Sequence, residues 1–186
     1  MLRKTILRRL EQKDAPFMLE WMHDRTITCN FRYPFENMTL EKVETFIKYS
    51  FDEENQHFAI TDDTDEYLGT ISLKHISETN HNAEYAIVTR KKAHGTGIAA
   101  RATMEILKYA FDDLGLHRVY LTVLSDNIAA RKLYENCGFD LEGEFRDMIR
   151  LEGRYRNQAG YAILNWKEKT MEGGITVWVF FRRQKA

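Results

Sequence analysis

Cysteine is nearly absent: Cys29 and Cys137 are the only two in 186 residues, too few for a disulfide framework and in keeping with a reducing compartment. Proline is equally scarce, with Pro16 and Pro34 both near the start, and no Gly/Ser linker, internal repeat or low-complexity tract divides the chain. One domain is therefore expected over residues 1–166, with 167–186 as a C-terminal extension. No apolar run approaches the ~20 residues that cross a bilayer, and Met1 to Leu10 is basic without the apolar core of a signal peptide. No membrane partner and a cytoplasmic location are the expectations. An excess of either charge is missing too: 27 Lys plus Arg stand against 28 Asp plus Glu, and a net charge of -1 offers no footprint for a nucleic-acid backbone. The six histidines (His23, His57, His75, His81, His94, His117) form no H-E-x-x-H pair and the cysteines have no ligand spacing, so no metal site is expected. Neither a G-x-S-x-G elbow nor a G-x-x-x-x-G-K loop occurs, and Cys137, just before a helix-ending glycine, reads as packing rather than as a nucleophile.

What is present suits a mixed α/β domain, since 44% hydrophobic residues can build one core. Thr5 to Leu10 reads as a strand, Phe17 to Met22 as a helix entered through Asp14 and Pro16, and Thr39 opens a helix with Val43, Phe46 and Ile47 on one face. Phe58 to Thr61 and Tyr67 to Leu73 resemble a hairpin around the turn-rich 62–66. Ala83 to Val88, Gly97 to Leu114 (closed by Gly115) and Val119 to Leu124 spell strand, helix, strand. Asn127 to Cys137 predicts another helix capped by Gly138, and Phe139 to Ile149 and Tyr155 to Leu164 two more strands.

Two segments carry chemistry. His94-Gly95-Thr96-Gly97-Ile98-Ala99 lies between a strand and a long amphipathic helix. Glycines there allow close backbone approach, and the unpaired N–H groups of a helix's first turn suit a pyrophosphate. The second is Asn127-x-x-Ala130-x-x-x-Tyr134-x-x-x-Gly138-Phe139, whose offsets of three and seven put Asn127, Ala130 and Tyr134 on one helical face. Each residue alone has a plainer reading, Asn127 as a helix cap and Tyr134 as a core aromatic. Gly95-x-Gly97-x-x-Ala100 also meets the relaxed dinucleotide fingerprint. A nicotinamide or flavin oxidoreductase is disfavoured, however: Thr89 to His94 separates strand from glycine, only one βαβ unit is legible, and no acidic residue ends the next strand.

With those segments in hand, the chain resembles the GNAT superfamily of N-acetyltransferases, in the branch of ribosomal-protein N-terminal and spermidine acetyltransferases, from about Leu7 to Asn165. The superfamily's Gln/Arg-x-x-Gly-x-Gly/Ala motif falls on His94-x-x-Gly97-x-Ala99, with His94 departing from the usual first residue. The Asn127 to Tyr134 motif, Gly138-Phe139, Glu142-Gly143-Glu144, Arg146 and Gly153-x-Tyr155-Arg156-Asn157 follow in the same order. The resemblance implies a mixed, mostly antiparallel central sheet of about seven strands flanked by helices, with a splayed strand pair holding the cofactor. It implies acetyl-CoA as co-substrate, direct transfer to a primary amine (a polyamine, amino sugar or peptide N-terminus) and no metal.

Residue roles follow from the same resemblance. Tyr134 would act as general acid toward the departing thiolate and Glu84 as general base toward the amine, although most strand-end carboxylates are simply solvated. A backbone N–H near Ile87 or Val88 would face the oxyanion, amides of Gly95, Thr96, Gly97, Ile98 and Ala99 would hold the pyrophosphate beside His94, and Asn127, Ala130 and Arg131 would contact the cofactor. Arg131 has a plainer reading as a surface arginine. Trp21 to Glu36 and Gly143 to Asn157 would wall the acceptor. A non-catalytic acyl-CoA sensor is the other reading of the fold, opposed by the presence of both Glu84 and Tyr134. The apolar run Ile175 to Phe181 after Gly173-Gly174 reads as an extra strand, a homodimer contact or an aggregation-prone stretch.

Overall fold

A computed structural model describes residues 5–165, 167–172 and 175–180. The chain begins with β1 (Ile6–Arg9), α1 (Ala15–Met22), the short α2 (Arg25–Thr28) and α3 (Leu40–Lys48). Then come β2 (Gln56–Thr61), β3 (Tyr67–Ser77) and β4 (Asn82–Thr89), followed by α4 (Ile98–Lys108), β5 (Arg118–Leu124), α5 (Ile128–Asn136), β6 (Asp140–Leu151) and β7 (Arg154–Leu164). These seven strands form one sheet in the order β1-β2-β3-β4-β5-β7-β6. Every pairing is antiparallel except β4–β5, which is parallel because the crossover through α4 returns the chain in the same direction.

Helices cover both faces. Tyr85 and Leu121 of the sheet pack with Ile98, Ala102 and Ile106 of α4 and Tyr134 of α5. On the other side Ala59 and Tyr67 meet Met18 and Trp21 of α1 and Val43 and Ile47 of α3. The apolar face read from the sequence as Val43, Phe46 and Ile47 is thus the docking stripe of α3, and Thr39 caps that helix by accepting the Lys42 N–H at 3.4 Å. Between β1 and α1, the buried Asp14 receives both Arg8 terminal nitrogens at 2.8 Å and the Glu11 N–H at 2.9 Å.

Three expectations change. The helix read as Gly97 to Leu114 is α4 followed by a π-helical turn, Tyr109–Asp113, and Gly97 caps it from outside. The helix α2, four residues long, carries too little periodicity to be read from sequence. The single extra strand becomes two, β8 (Lys167–Glu172) and β9 (Ile175–Phe180), paired with each other and apart from the main sheet. Gly173, Gly174 and Phe181 lie outside the described residues. Among the described residues no helix is long and apolar enough to cross a membrane.

Candidate active site

The parallel pair β4–β5 is joined only at Asn82↔Arg118, Ala83↔Val119 and Glu84↔Tyr120, although β4 continues to Thr89 and β5 to Leu124. Beyond Glu84 the two strands splay. Two hydrogen bonds fix which backbone groups face that gap. Arg90 N–H donates to Leu68 C=O at 2.8 Å, so even-numbered residues of β4 bond to β3, and Arg118 N–H donates to His81 C=O at 3.1 Å, so odd-numbered ones face β5. Ile87 therefore turns its N–H and C=O into the gap, whereas the Val88 N–H is directed at β3. The pair of amides named from sequence narrows to one, because the pleat allows only alternate residues on each edge.

At the mouth of the gap the segment 94–97 is exposed and strongly turned, with φ of +73° at Gly95 and +75° at Gly97. These left-handed values favour glycine. Ile98 N–H reaches the Thr96 hydroxyl at 3.4 Å, while the N–H groups of Gly95, Gly97, Ala99 and Ala100 have no acceptor among the described residues. Four unpaired donors at the start of an eleven-residue helix make a cradle for a diphosphate. Ile98 contributes only backbone, since its side chain is buried in the core. His94 bonds the Thr89 C=O at 3.3 Å through Nε2 and remains exposed, so its ring folds back on the protein.

Arg101 was not singled out from the sequence. Its Nη1 donates to the Thr96 C=O at 3.3 Å, and its Nε donates to the Thr5 hydroxyl at 2.9 Å, which stations a guanidinium beside the amide cradle. The i, i+4 spacing from Gly97 was the available pointer.

Opposite the cradle, α5 presents its motif. Asn127 accepts the Ala130 N–H at 3.2 Å, so its side-chain oxygen caps the helix and its amide nitrogen is left over. Arg131 donates through Nε to the Tyr161 hydroxyl at 2.9 Å and through Nη1 to the Ser125 C=O at 2.9 Å. The Tyr161 hydroxyl in turn donates to Glu135 at 2.7 Å. Through these two bonds Arg131 ties α5 to β7 and to the turn after β5, with its Nη2 not engaged by them. Tyr134 sits in an aromatic nest, its ring centroid 5.8 Å from Tyr85, 5.9 Å from Phe139 and 6.3 Å from Tyr161. Burial, with a smaller contribution from Cys137, pushes its hydroxyl up to about 12. That hydroxyl has no hydrogen-bond partner among the described residues. Nor is it sealed from solvent, because the one enclosed, unpartnered side-chain polar atom there is Ser125 Oγ.

Tyr85 and Ile87 share a strand face by the two-residue period, so Tyr134 and the gap-facing Ile87 lie on the same side of the sheet. Glu84 is on the other side, at the last paired level before the splay. Its Oε1 lies 3.0 Å from Lys74 Nζ and its Oε2 lies 3.6 Å from His75 Nε2. A protonated hydroxyl on one face, a carboxylate on the other and an unpaired N–H between them suit acyl transfer through the gap. Among the described residues no group of three or more His, Cys, Asp or Glu is placed to hold a metal.

Comparison with known proteins identifies the family. Residues 4–140 match the acetyltransferase (GNAT) domain family. A spermidine N(1)-acetyltransferase of Vibrio cholerae is 32% identical over 162 residues, covering 87% of this chain and 93% of that protein. A putative ribosomal N-acetyltransferase of Bacillus subtilis is 32% identical over 96 residues, 52% of each chain. The crystal structure of the Vibrio cholerae spermidine N-acetyltransferase in complex with CoA and spermine superposes with a TM-score of 0.79 at 30% identity, covering 86% of this chain and 95% of that one.

Proposed function

We propose, on the premise that this chain belongs to the GNAT acetyltransferase family and moves an acetyl group from acetyl-CoA to an amine, which of its residues perform the transfer. Acetyl-CoA supplies the activated carbonyl. The free amides of Gly95, Gly97 and Ala99, with the Thr96 and Ile98 backbone, His94 and the Arg101 guanidinium around them, hold its diphosphate at the mouth of α4. The gap edge of β4 at Ile87 pairs with the amide-bearing arm as an added strand would, and the Ile87 N–H faces the negative charge that develops on the attacked carbonyl oxygen. Asn127, through its spare amide nitrogen, and Ala130, through its small side chain, shape the opposite wall, with Arg131 locking that wall to β7.

Proton traffic uses the two faces. An alkylamine with a pKa near about 10 must lose a proton before it attacks, and Glu84 takes it, through water, from the side of α1 and α3. Tyr134 donates to the departing thiolate. A hydroxyl pushed up to about 12 is fully protonated around neutrality, the state a general acid requires. The acceptor is a small-molecule or peptide primary amine, and spermidine is the first to try because relatives act on it. The same reading keeps residues 1–166 as one catalytic domain with 167–186 appended, places the enzyme in the cytoplasm and pairs two copies through an edge strand.

The observation that carries this reading is the solvent-touched, unpartnered Tyr134 hydroxyl on the same face as the Ile87 edge. Tyr134→Phe tests it. Removing an atom with no protein partner should leave the melting temperature and its rise on adding acetyl-CoA nearly unchanged. Turnover, followed by free thiol release, should fall about 100- to 10,000-fold. Undiminished turnover would remove Tyr134 from the mechanism.

A further inference from the structure

Past Thr89 the chain leaves β4 and runs through a single turn of helix, Lys91–Ala93, into the exposed segment 94–97. Two left-handed glycines make that segment easy to bend, and a diphosphate cradle gains affinity only if its donors are held in place before the ligand arrives. At the far end Arg101 Nη1 holds the Thr96 C=O. At the near end the anchor is Arg90. Its C=O accepts the Ala93 N–H at 2.9 Å, and the Ala93 C=O accepts the Thr96 hydroxyl at 2.7 Å. The turn is thus laced step by step from Arg90 to the residue between the two glycines.

The Arg90 side chain is itself gripped on several sides. Nε donates to Glu20 Oε1 at 3.1 Å and Nη2 donates to Oε2 at 2.6 Å, a two-point fork onto α1. Nη1 donates to the Tyr67 C=O at 3.1 Å and lies 3.5 Å from Glu66 Oε1, while Cζ stands 4.8 Å from the ring centroid of Phe17, also on α1. Glu66 pairs in addition with Lys92 of the turn. A buried pair of this kind gains little net stability, because desolvation offsets the attraction, whereas the planar fork admits one placement of its partners. The strand β4 does not depend on it: the backbone pairs with β3 as far as Gly69↔Thr89, and the Arg90 N–H bonds the Leu68 C=O. What the side chain fixes is the chain beyond β4.

We infer that Arg90, clamped by Glu20, is a positioning residue that presets the diphosphate cradle at 94–97 against α1. It acts through the turn that its carbonyl begins, not on the reacting atoms. The inference rests on the acetyl-transfer reading and adds the joint through which α1 sets affinity for the acyl donor.

The test compares two donors with one amine, spermidine. S-Acetylpantetheine carries the same thioester and amide-bearing arm as acetyl-CoA but no diphosphate. Arg90→Gln should raise KM for acetyl-CoA about 10-fold with kcat within about twofold, and should leave kcat/KM for S-acetylpantetheine within about twofold of the wild type. Glu20→Gln, whose side chain is 55% exposed against 9% for Arg90, should raise KM for acetyl-CoA about 5-fold with the same split between donors, and it decides the matter alone if Arg90→Gln does not fold. The double variant should be no worse than Arg90→Gln, since both substitutions break one contact. Calorimetry of acetyl-CoA should show its Kd rising by the same factors. An unchanged KM and Kd, equal losses with both donors, or additive losses in the double variant would overturn the inference. Weakened binding of acetyl-CoA by the variants, with no acetylation of any amine by the wild type, would refute the acetyl-transfer reading and leave the clamp standing; normal turnover with unweakened binding would do the reverse.

Discussion

His57, on β2, gives the acid limb of stability a specific origin. Its Nδ1 lies 2.7 Å from the Ser72 hydroxyl, and the Phe46 ring meets it edge-on at 4.9 Å. Burial above all, reinforced by the Lys74 ammonium and opposed by Asp52, lowers it from 6.5 to about 4. Between those values the unfolded chain holds a proton that the folded one refuses, so stability rises with pH there. The contribution is complete above the unfolded value and is lost as pH falls toward about 4. At about 1.36 kcal/mol per unit, the loss relative to neutral pH is roughly 1–2 kcal/mol near about pH 5.5 and roughly 2–3 kcal/mol near about pH 4.5. His57→Gln, uncharged throughout, lacks this term. Urea unfolding of both proteins at a series of pH values should show the wild type's advantage shrinking on acidification by those amounts, with equal m-values. A constant difference between the two proteins down to about pH 4.5 would refute the assignment, since the half-buried imidazole would then carry none of the acid sensitivity.

Three further outcomes follow from the geometry. Gly97→Ala must place a Cβ at φ +75°, 3.1 Å from Arg101 Nη1, so acetyl-CoA affinity measured by calorimetry should fall about 10-fold, and an unaltered affinity would show that the cradle tolerates a right-handed residue. Glu84→Gln should reduce kcat/KM for the amine by about 100-fold at neutral pH and less in alkaline buffer, where more amine is already free; a pH-independent change of under about twofold would leave Glu84 as a partner of Lys74 alone. Arg8→Ala strips the buried Asp14 of both guanidinium bonds and should cost about 3 kcal/mol in denaturant unfolding, whereas Lys13→Ala, at an exposed pair, should leave the unfolding midpoint nearly unchanged.

Most of the fold could be read from the chain because its signals are local. The alternating Val119, Leu121 and Val123 mark β5, the apolar spacing of Val43, Phe46 and Ile47 marks α3, and Gly138, at φ +94°, ends α5 as its position suggested. The misread parts depend on distant packing. The π-helical turn at Tyr109–Asp113 has Tyr109 bonding Gln56 at 2.9 Å and meeting Phe58 at 5.5 Å, contacts made across more than fifty residues of sequence. Nothing within 97–114 announces where α4 changes pitch.

The site divides along the same line. Gly95, Gly97 and Asn127 betray themselves because a left-handed turn and a helix cap restrict residue type locally. Arg131 does not, since its partner Tyr161 lies thirty positions away. The choice between Ile87 and Val88 required the parity of β4, which only the Arg90–Leu68 and Arg118–His81 bonds reveal. Arg25, Arg32 and Arg150 line one cleft only because the β6–β7 hairpin tip faces α2, which no local pattern announces. In this fold the readable signals sit within single turns and helix starts around α4 and α5, whereas ties such as Arg131 to Tyr161 join segments far apart in the chain and appear only when the sheet is assembled.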